Sequence, residues 1–204
     1  MAKKKIYTGF TPETVENLIL DVGVFFKDFE VGTDTFETAV KAGKLIGATK
    51  GGGSFTAKPS IIPLEIDGLK NNTKGAKLID DYEVAITANT VEVTPETIKL
   101  ALIACKVTES ETEGYDKITA SESISLEDYI KNITWVGTLS GNSKPVIIQV
   151  FNALNQDGLS LTPEKKGQAV VALNFIGHYD VATLEEPPFA IYYPKKETQT
   201  KEEN

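Results

Sequence analysis

A mainly β fold with one flanking helix is what three features of this 204-residue chain predict. Segments with apolar residues at every second position recur along it, as in Tyr82, Val84, Ile86 and Ala88 set against Glu83, Ala85, Thr87 and Asn89. Only one stretch combines a strong helix-start signal with a helical repeat: Thr94-Pro95-Glu96, followed by Ile98, Ala101, Leu102 and Cys105. The C-terminal half holds strands apolar on both faces, which need cover on both sides. Together these give a β-sandwich or partly open barrel of about eight strands with one α-helix on its flank. No linker divides the chain, so 1–204 reads as one domain, with flexible termini at 1–9 and 195–204 and a long arm region at about 47–80.

Taken in order, Thr11-Pro12-Glu13 supplies a hydroxyl cap, a proline at the first helical position and an early carboxylate, and so opens a short turn. Val22 to Phe29 reads as a strand, and residues 33–46 fit either a helical stripe or a second strand. Gly51-Gly52-Gly53 follows, a cluster that a helix or packed strand disfavours because glycine loses the most backbone freedom on ordering. Ile62, Leu64 and Ile66 then alternate with Pro63, Glu65 and Asp67, the pattern of a half-buried strand; Pro59 and Pro63 lack ladder donors and assign it to a sheet edge. The glycine-rich stretches Thr49–Phe55 and Gly68–Asp80 flank this edge as two flexible arms. The helical repeat after Thr94 puts Cys105 on the buried face as a small core residue. Residues 108–123 are acidic and without period, hence a loop, and Ser125-Leu126-Glu127-Asp128 starts a further short turn. Strands follow at Ile133–Leu139, Val146–Phe151 and Ala169–Tyr179, with an extended segment at Pro187–Pro194.

Composition excludes several functions. No run of about 18 apolar residues crosses a membrane, and the basic start, Lys3-Lys4-Lys5, lacks the apolar stretch of a signal peptide. Asn71-Asn72-Thr73 and Asn132-Ile133-Thr134 match the glycosylation pattern by chance on that reading. One cysteine and one histidine, His178, cannot furnish the common zinc sets, and no cofactor is expected. All 21 basic residues are lysine and the net charge is −8, a balance opposed to sequence-specific DNA recognition. Catalysis lacks parts: no G-x-S-x-G motif accompanies His178, which reads as a hydrogen-bonded structural residue. Lys50 precedes its glycines, unlike a phosphate loop, and Glu109, Glu111, Glu113 and Asp116 lack calcium-loop spacing. We therefore expect no enzyme.

The order of several marks resembles the major tail proteins, or tail tube proteins, of long-tailed (siphovirus-type) bacteriophages of Gram-positive bacteria. The marks are Gly47-Ala48-Thr49-Lys50-Gly51-Gly52, then Ile66-Asp67-Gly68 with Lys74-Gly75, and Thr94-Pro95-Glu96-Thr97. Asn132-Ile133-Thr134-Trp135-Val136-Gly137, Phe175-Ile176-Gly177-His178-Tyr179 and Pro188-Phe189 complete them, over roughly residues 20–193. The resemblance implies a structural virion protein, assembled in the host bacterial cytoplasm into hexameric rings that stack into a tube for DNA delivery. It implies no enzymatic activity and no metal. Its implied partners are further copies of itself and the tape-measure, tail terminator and distal tail proteins, with DNA passing without tight binding and no membrane insertion.

On that reading Thr49, Lys50, Gly51, Gly52, Gly53, Phe55, Lys70, Asn71, Asn72 and Lys74 make inter-ring or inter-subunit contacts, and Glu65, Asp67 and Glu83 line an acidic lumen. A hexamer would carry about −48 formal charges, six times the −8 of one chain, and so would let duplex DNA slide. The alternative is a monomeric β-sandwich adhesin or carbohydrate-binding module. That reading favours exposed loop aromatics, whereas Phe25, Phe26, Trp135, Phe151 and Phe175 fall mostly in predicted strands.

Overall fold

A computed structural model describes residues 8–163, 165 and 167–195. The predicted flexible ends, 1–9 and 195–204, therefore fall mostly outside the described residues. Ten strands are described: β1 (Val24–Lys27), β2 (Thr49–Pro63), β3 (Lys77–Thr90), β4 (Cys105–Glu109), β5 (Asp116–Ala120), β6 (Ile130–Gly137), β7 (Val146–Asn155), β8 (Leu161–Thr162), β9 (Val170–Ile176) and β10 (Phe189–Tyr192). Two short α-helices, α1 (Phe36–Lys41) and α2 (Pro95–Ala101), and two 3-10 helices (Pro12–Asn17 and Leu126–Asp128) complete the described elements. The mainly β class stands, with eight strands in one antiparallel sheet of order β1-β6-β7-β9-β3-β2, β10 on β7 and β8 on β9, while β4 and β5 form a hairpin apart.

The sheet turns a corner at β7. Its length pairs with β6 on one side, residues 147–150 pair with β10 on the other, and only Leu154 and Asn155 pair with β9. Between those two stretches Asn152 takes φ 47, a left-handed conformation that asparagine tolerates better than most residues. His178 secures the kink. Its Nδ1 lies 3.0 Å from the Asn152 carbonyl, which can only accept, so Nδ1 carries the proton; Asn152 Nδ2 donates back to the His178 carbonyl at 3.1 Å.

Folding at that corner makes two layers, β1-β6-β7-β10 and β2-β3-β9-β8, around one core. Phe25, Ile133 and Val150 from the first layer share it with Val84, Ile86, Ala88, Val171, Leu173 and Phe175 from the second. On the outer side of the first layer Phe26, Phe29 and Ala39 of α1 form a second cluster against Val136 and Ile147. Burial of each large apolar side chain contributes about 1.5–3 kcal/mol relative to leaving it exposed.

Several expectations are corrected. Helix α2 starts where Thr94 accepts from the Thr97 amide, but stops at Ala101 rather than reaching Cys105. Asn155 Nδ2 donates to the carbonyls of Leu100 and Ala101, so a residue far along the chain satisfies the helix end. Cys105 consequently opens β4, half-buried, where burial pushes its thiol up from the ordinary value. Residues 108–123 are not simply loop, because β4 and β5 pair from Cys105↔Ala120 to Glu109↔Asp116. The segment 33–46 holds α1, followed by a lone bridge from Leu45 to Phe26.

The loop into α1 is held by Asp34, whose carboxylate accepts from Lys44 Nζ at 2.6 Å and from the Glu30 amide at 2.8 Å. The Lys44 bond first, then the amide, hold Asp34 below 3.8, and the same pair lifts Lys44 above 10.5. The carboxylate's contribution to stability is thus full above the unfolded value near 3.8 and is lost as pH falls through the lower folded value. Asp34→Asn should therefore flatten the acid limb of stability against pH, in urea melts taken between about pH 5 and 2.5.

Candidate interaction surface

Strands β2 and β3 build one long antiparallel hairpin, and only its first half belongs to the packed body. Val84, Ile86 and Ala88 are buried, yet from Lys58 to Asp81 every described side chain is exposed except Leu69 and Thr73, which are half-covered, and Ala76, which is buried. In that outer half Ile61 pairs with Ile79 and Ile62 with Leu78. Consecutive apolar residues in a strand point to opposite faces, so each face carries one apolar pair. These four are 53%, 57%, 45% and 55% exposed in that order, too much apolar surface on one projecting element to be incidental.

The expectation of an edge strand is met, and its free side can be read from the hydrogen bonds. The Val84 carbonyl accepts from the Gly177 amide and the Tyr82 amide donates to Tyr179 Oη at 2.8 Å, so both residues turn their polar groups away from β2. Their partners Ala57 and Pro59 must then face outward from the sheet. Pro59 therefore removes a donor from the free border, a device that limits uncontrolled edge pairing. A register shift between Pro59 and Ile61 places Asp80 and Asp81 at a bulge, adding charge to the same region.

The two stretches predicted as flexible arms are instead the two ends of this hairpin. Gly51 (φ 78) and Gly52 (φ 69) lie in a bulge at the start of β2, where pairing jumps from Thr49↔Thr90 to Gly53↔Ala88. Lys50 beside them is exposed, and Phe55 is half-buried against Phe189, ring centroids 5.8 Å apart. At the far end, successive turns are closed by Leu69 N–H to Ile66 O at 2.9 Å and Thr73 N–H to Lys70 O at 2.9 Å. Lys70, Asn71, Asn72 and Lys74 stand exposed on that tip. The predicted contact residues thus form two groups, separated by about 33 Å of strand from Gly53 to Pro63 at 3.3 Å per residue. The half-buried strand expected over residues 62–66 ends at Pro63, leaving Glu65 and Asp67 exposed beyond it. Glu83 is exposed on the outer face of β3, its carboxylate 3.8 Å from the equally exposed Lys58 ammonium.

At the glycine end the sheet nearly closes on itself. Its terminal strands β1 and β2 approach without pairing, and the open seam is a groove of about 310 Å³. Phe25, Phe55, Ile86, Trp135 and Ile148 line it, with the Gly51–Gly53 backbone as one wall. Ile19 and Val22 stand at its rim, 51% and 57% exposed. The segment carrying them is fastened to the body by Ser140, whose amide donates to the Leu18 carbonyl and whose hydroxyl donates to the Val15 carbonyl.

Sequence reasoning missed Ile19, Val22, Ile61, Leu78 and Ile79. The doublets Ile61-Ile62 and Leu78-Ile79 were the available signal, since a one-sided strand has no use for adjacent apolar residues. A hollow of about 550 Å³ is lined by several charged residues, among which Glu96 meets Lys99 at 2.8 Å and Lys27 at 3.7 Å. No protein-family model and no curated protein matches the chain significantly.

Proposed function

We propose that this chain is a self-assembling structural protein of the tail-tube type, in which copies form rings that stack into a conduit for DNA. The observation that carries the reading is the projecting outer half of the β2–β3 hairpin, apolar on both faces and open along one border. A folded monomer gains little from holding such an element in water; a second copy covering it gains the buried area. Where the hairpin meets a different surface of the next copy the contact is heterologous, and such contacts close into rings or run on as filaments. Exposed Glu65, Asp67 and Glu83 remain the proposed lumen carboxylates, repelling phosphates in transit. Tape-measure, terminator and distal tail proteins would then meet the two ends of the stack, within a virion.

Size-exclusion chromatography with negative-stain microscopy tests this. Rings or tubes about 10 nm across, an estimate from the domain scale, are the expected result. A monomer at all concentrations that binds glycans would overturn it in favour of the carbohydrate-binding module.

A further inference from the structure

We infer that Asp67 is a site of spontaneous backbone modification, where the chain closes a cyclic imide with Gly68 and ages to isoaspartate. Aspartate followed by glycine is the pair in which this ring closure is least hindered, because no side chain flanks the attacking amide. The chain holds two such pairs, Asp67-Gly68 and Asp157-Gly158, and the fold treats them differently.

Asp67 and Gly68 are the middle residues of the first turn at the hairpin tip, closed by Leu69 N–H to Ile66 O at 2.9 Å. Both are exposed, Gly68 has φ 78, and a Cβ on it would meet open space. Among the described residues the Asp67 carboxylate has no hydrogen-bond partner, and neither does the peptide group joining it to Gly68. That peptide can rotate to bring the Gly68 nitrogen onto Asp67 Cγ without breaking a hydrogen bond, at a tip where local opening costs least. At the second pair the attacked group is held. The Asp157 carboxylate accepts from Asn174 Nδ2 at 2.9 Å, and the Asp157 amide donates to Asn155 Oδ1 at 3.2 Å. Asn155 is itself buried and bonded to the end of α2.

The step needs no reactant but water. The Gly68 nitrogen bonds to Asp67 Cγ and gives up its proton, the bond from Cγ to its hydroxyl breaks, and one water leaves. Water then adds to either carbonyl of the five-membered ring. Opening at Cγ restores aspartate. Opening at the main-chain carbon of Asp67 reroutes the chain through Cβ and Cγ and leaves the former main-chain carboxyl as the free acid. Composition and charge are unchanged, but the turn gains a backbone atom, so the exposed carboxylate and the tip that follows it are displaced. None of this depends on the assembly reading.

The test is ageing of the full chain in neutral buffer, folded and in guanidinium chloride. Cleavage at lysine puts the two pairs in separate peptides, and electron-transfer fragmentation locates isoaspartate by breaking its added backbone bond. In the folded chain Asp67 should isomerise about fivefold or more faster than Asp157, the effect of an ordinary hydrogen bond or two on the slower site. In denaturant the two rates should converge. Asp67→Glu, a change at an exposed position, should remove the modification from residue 67, because the larger ring closes poorly. Equal rates in the folded chain would overturn the inference. So would a rate at Asp67 that rises on unfolding as much as the rate at Asp157, since the turn would then be protecting it.

Discussion

Phe175→Ala is expected to lower the free energy of unfolding by about 3–5 kcal/mol, and Ile79→Ala to change it by no more than about 0.5 kcal/mol. Phe175 is fully buried on β9, in the core shared by both layers, so truncation leaves a cavity that several strands would have to collapse to fill. Ile79 lies on the neighbouring strand β3, beyond the last residue that packs against the body. For a domain of this size the first change corresponds to a fall of about 10 °C in melting temperature. Urea melts of dilute, monomeric protein measure both. The contrast matters more than either value. A loss for Ile79→Ala near that for Phe175→Ala would mean that the hairpin folds back on its own body, and the assembly reading would lose its main support.

The parts of the fold legible in the sequence were those set by neighbours along the chain. Tyr82 to Ala88 alternates cleanly because one face meets the core and the other meets water, so the pattern states the environment directly. Thr94-Pro95-Glu96 marked the start of α2 for the same reason, a cap being a local device. The end of α2 was not legible, since the group that satisfies its last carbonyls is Asn155, more than fifty residues later. Nor was the β4–β5 hairpin, whose Val107↔Ile118 pair is a lone apolar contact within an acidic stretch of sequence with no sustained period. At the candidate surface the prolines indicated an edge correctly, because a missing donor has one cheap place to be. The groove was invisible, since it joins Ile19 and Val22 to Phe55 and Trp135, residues that only the folded sheet brings together.

The glycine cluster shows the limit of composition most clearly, and it supports the sharpest prediction. Three consecutive glycines suggest freedom, yet Gly51 and Gly52 are glycine for their positive φ and Gly53 for want of space. At Gly51 the backbone has φ 78 and a side chain would meet open space, so Gly51→Ala should cost only the left-handed strain of about 1–2 kcal/mol. At Gly53 a Cβ would stand 1.9 Å from the Thr87 carbonyl oxygen and 2.7 Å from the edge of the Phe25 ring. Something must move, and Thr87 is held from its other side by pairing with Asn174 of β9, so β3 cannot yield. The start of β2 has to lift away instead, breaking the bonds from Ser54 to Thr87 Oγ1 at 2.8 Å. Gly53→Ala should therefore cost about 3 kcal/mol or more, at the upper end for overpacked sites. Hydrogen exchange of the Ser54 and Thr56 amides, which face β3, should speed up in this variant and hardly change in Gly51→Ala. Equal effects at Gly51 and Gly53 would instead mean that the cluster serves as a flexible joint, and that the closeness of β1 and β2 at the seam does not restrict the chain.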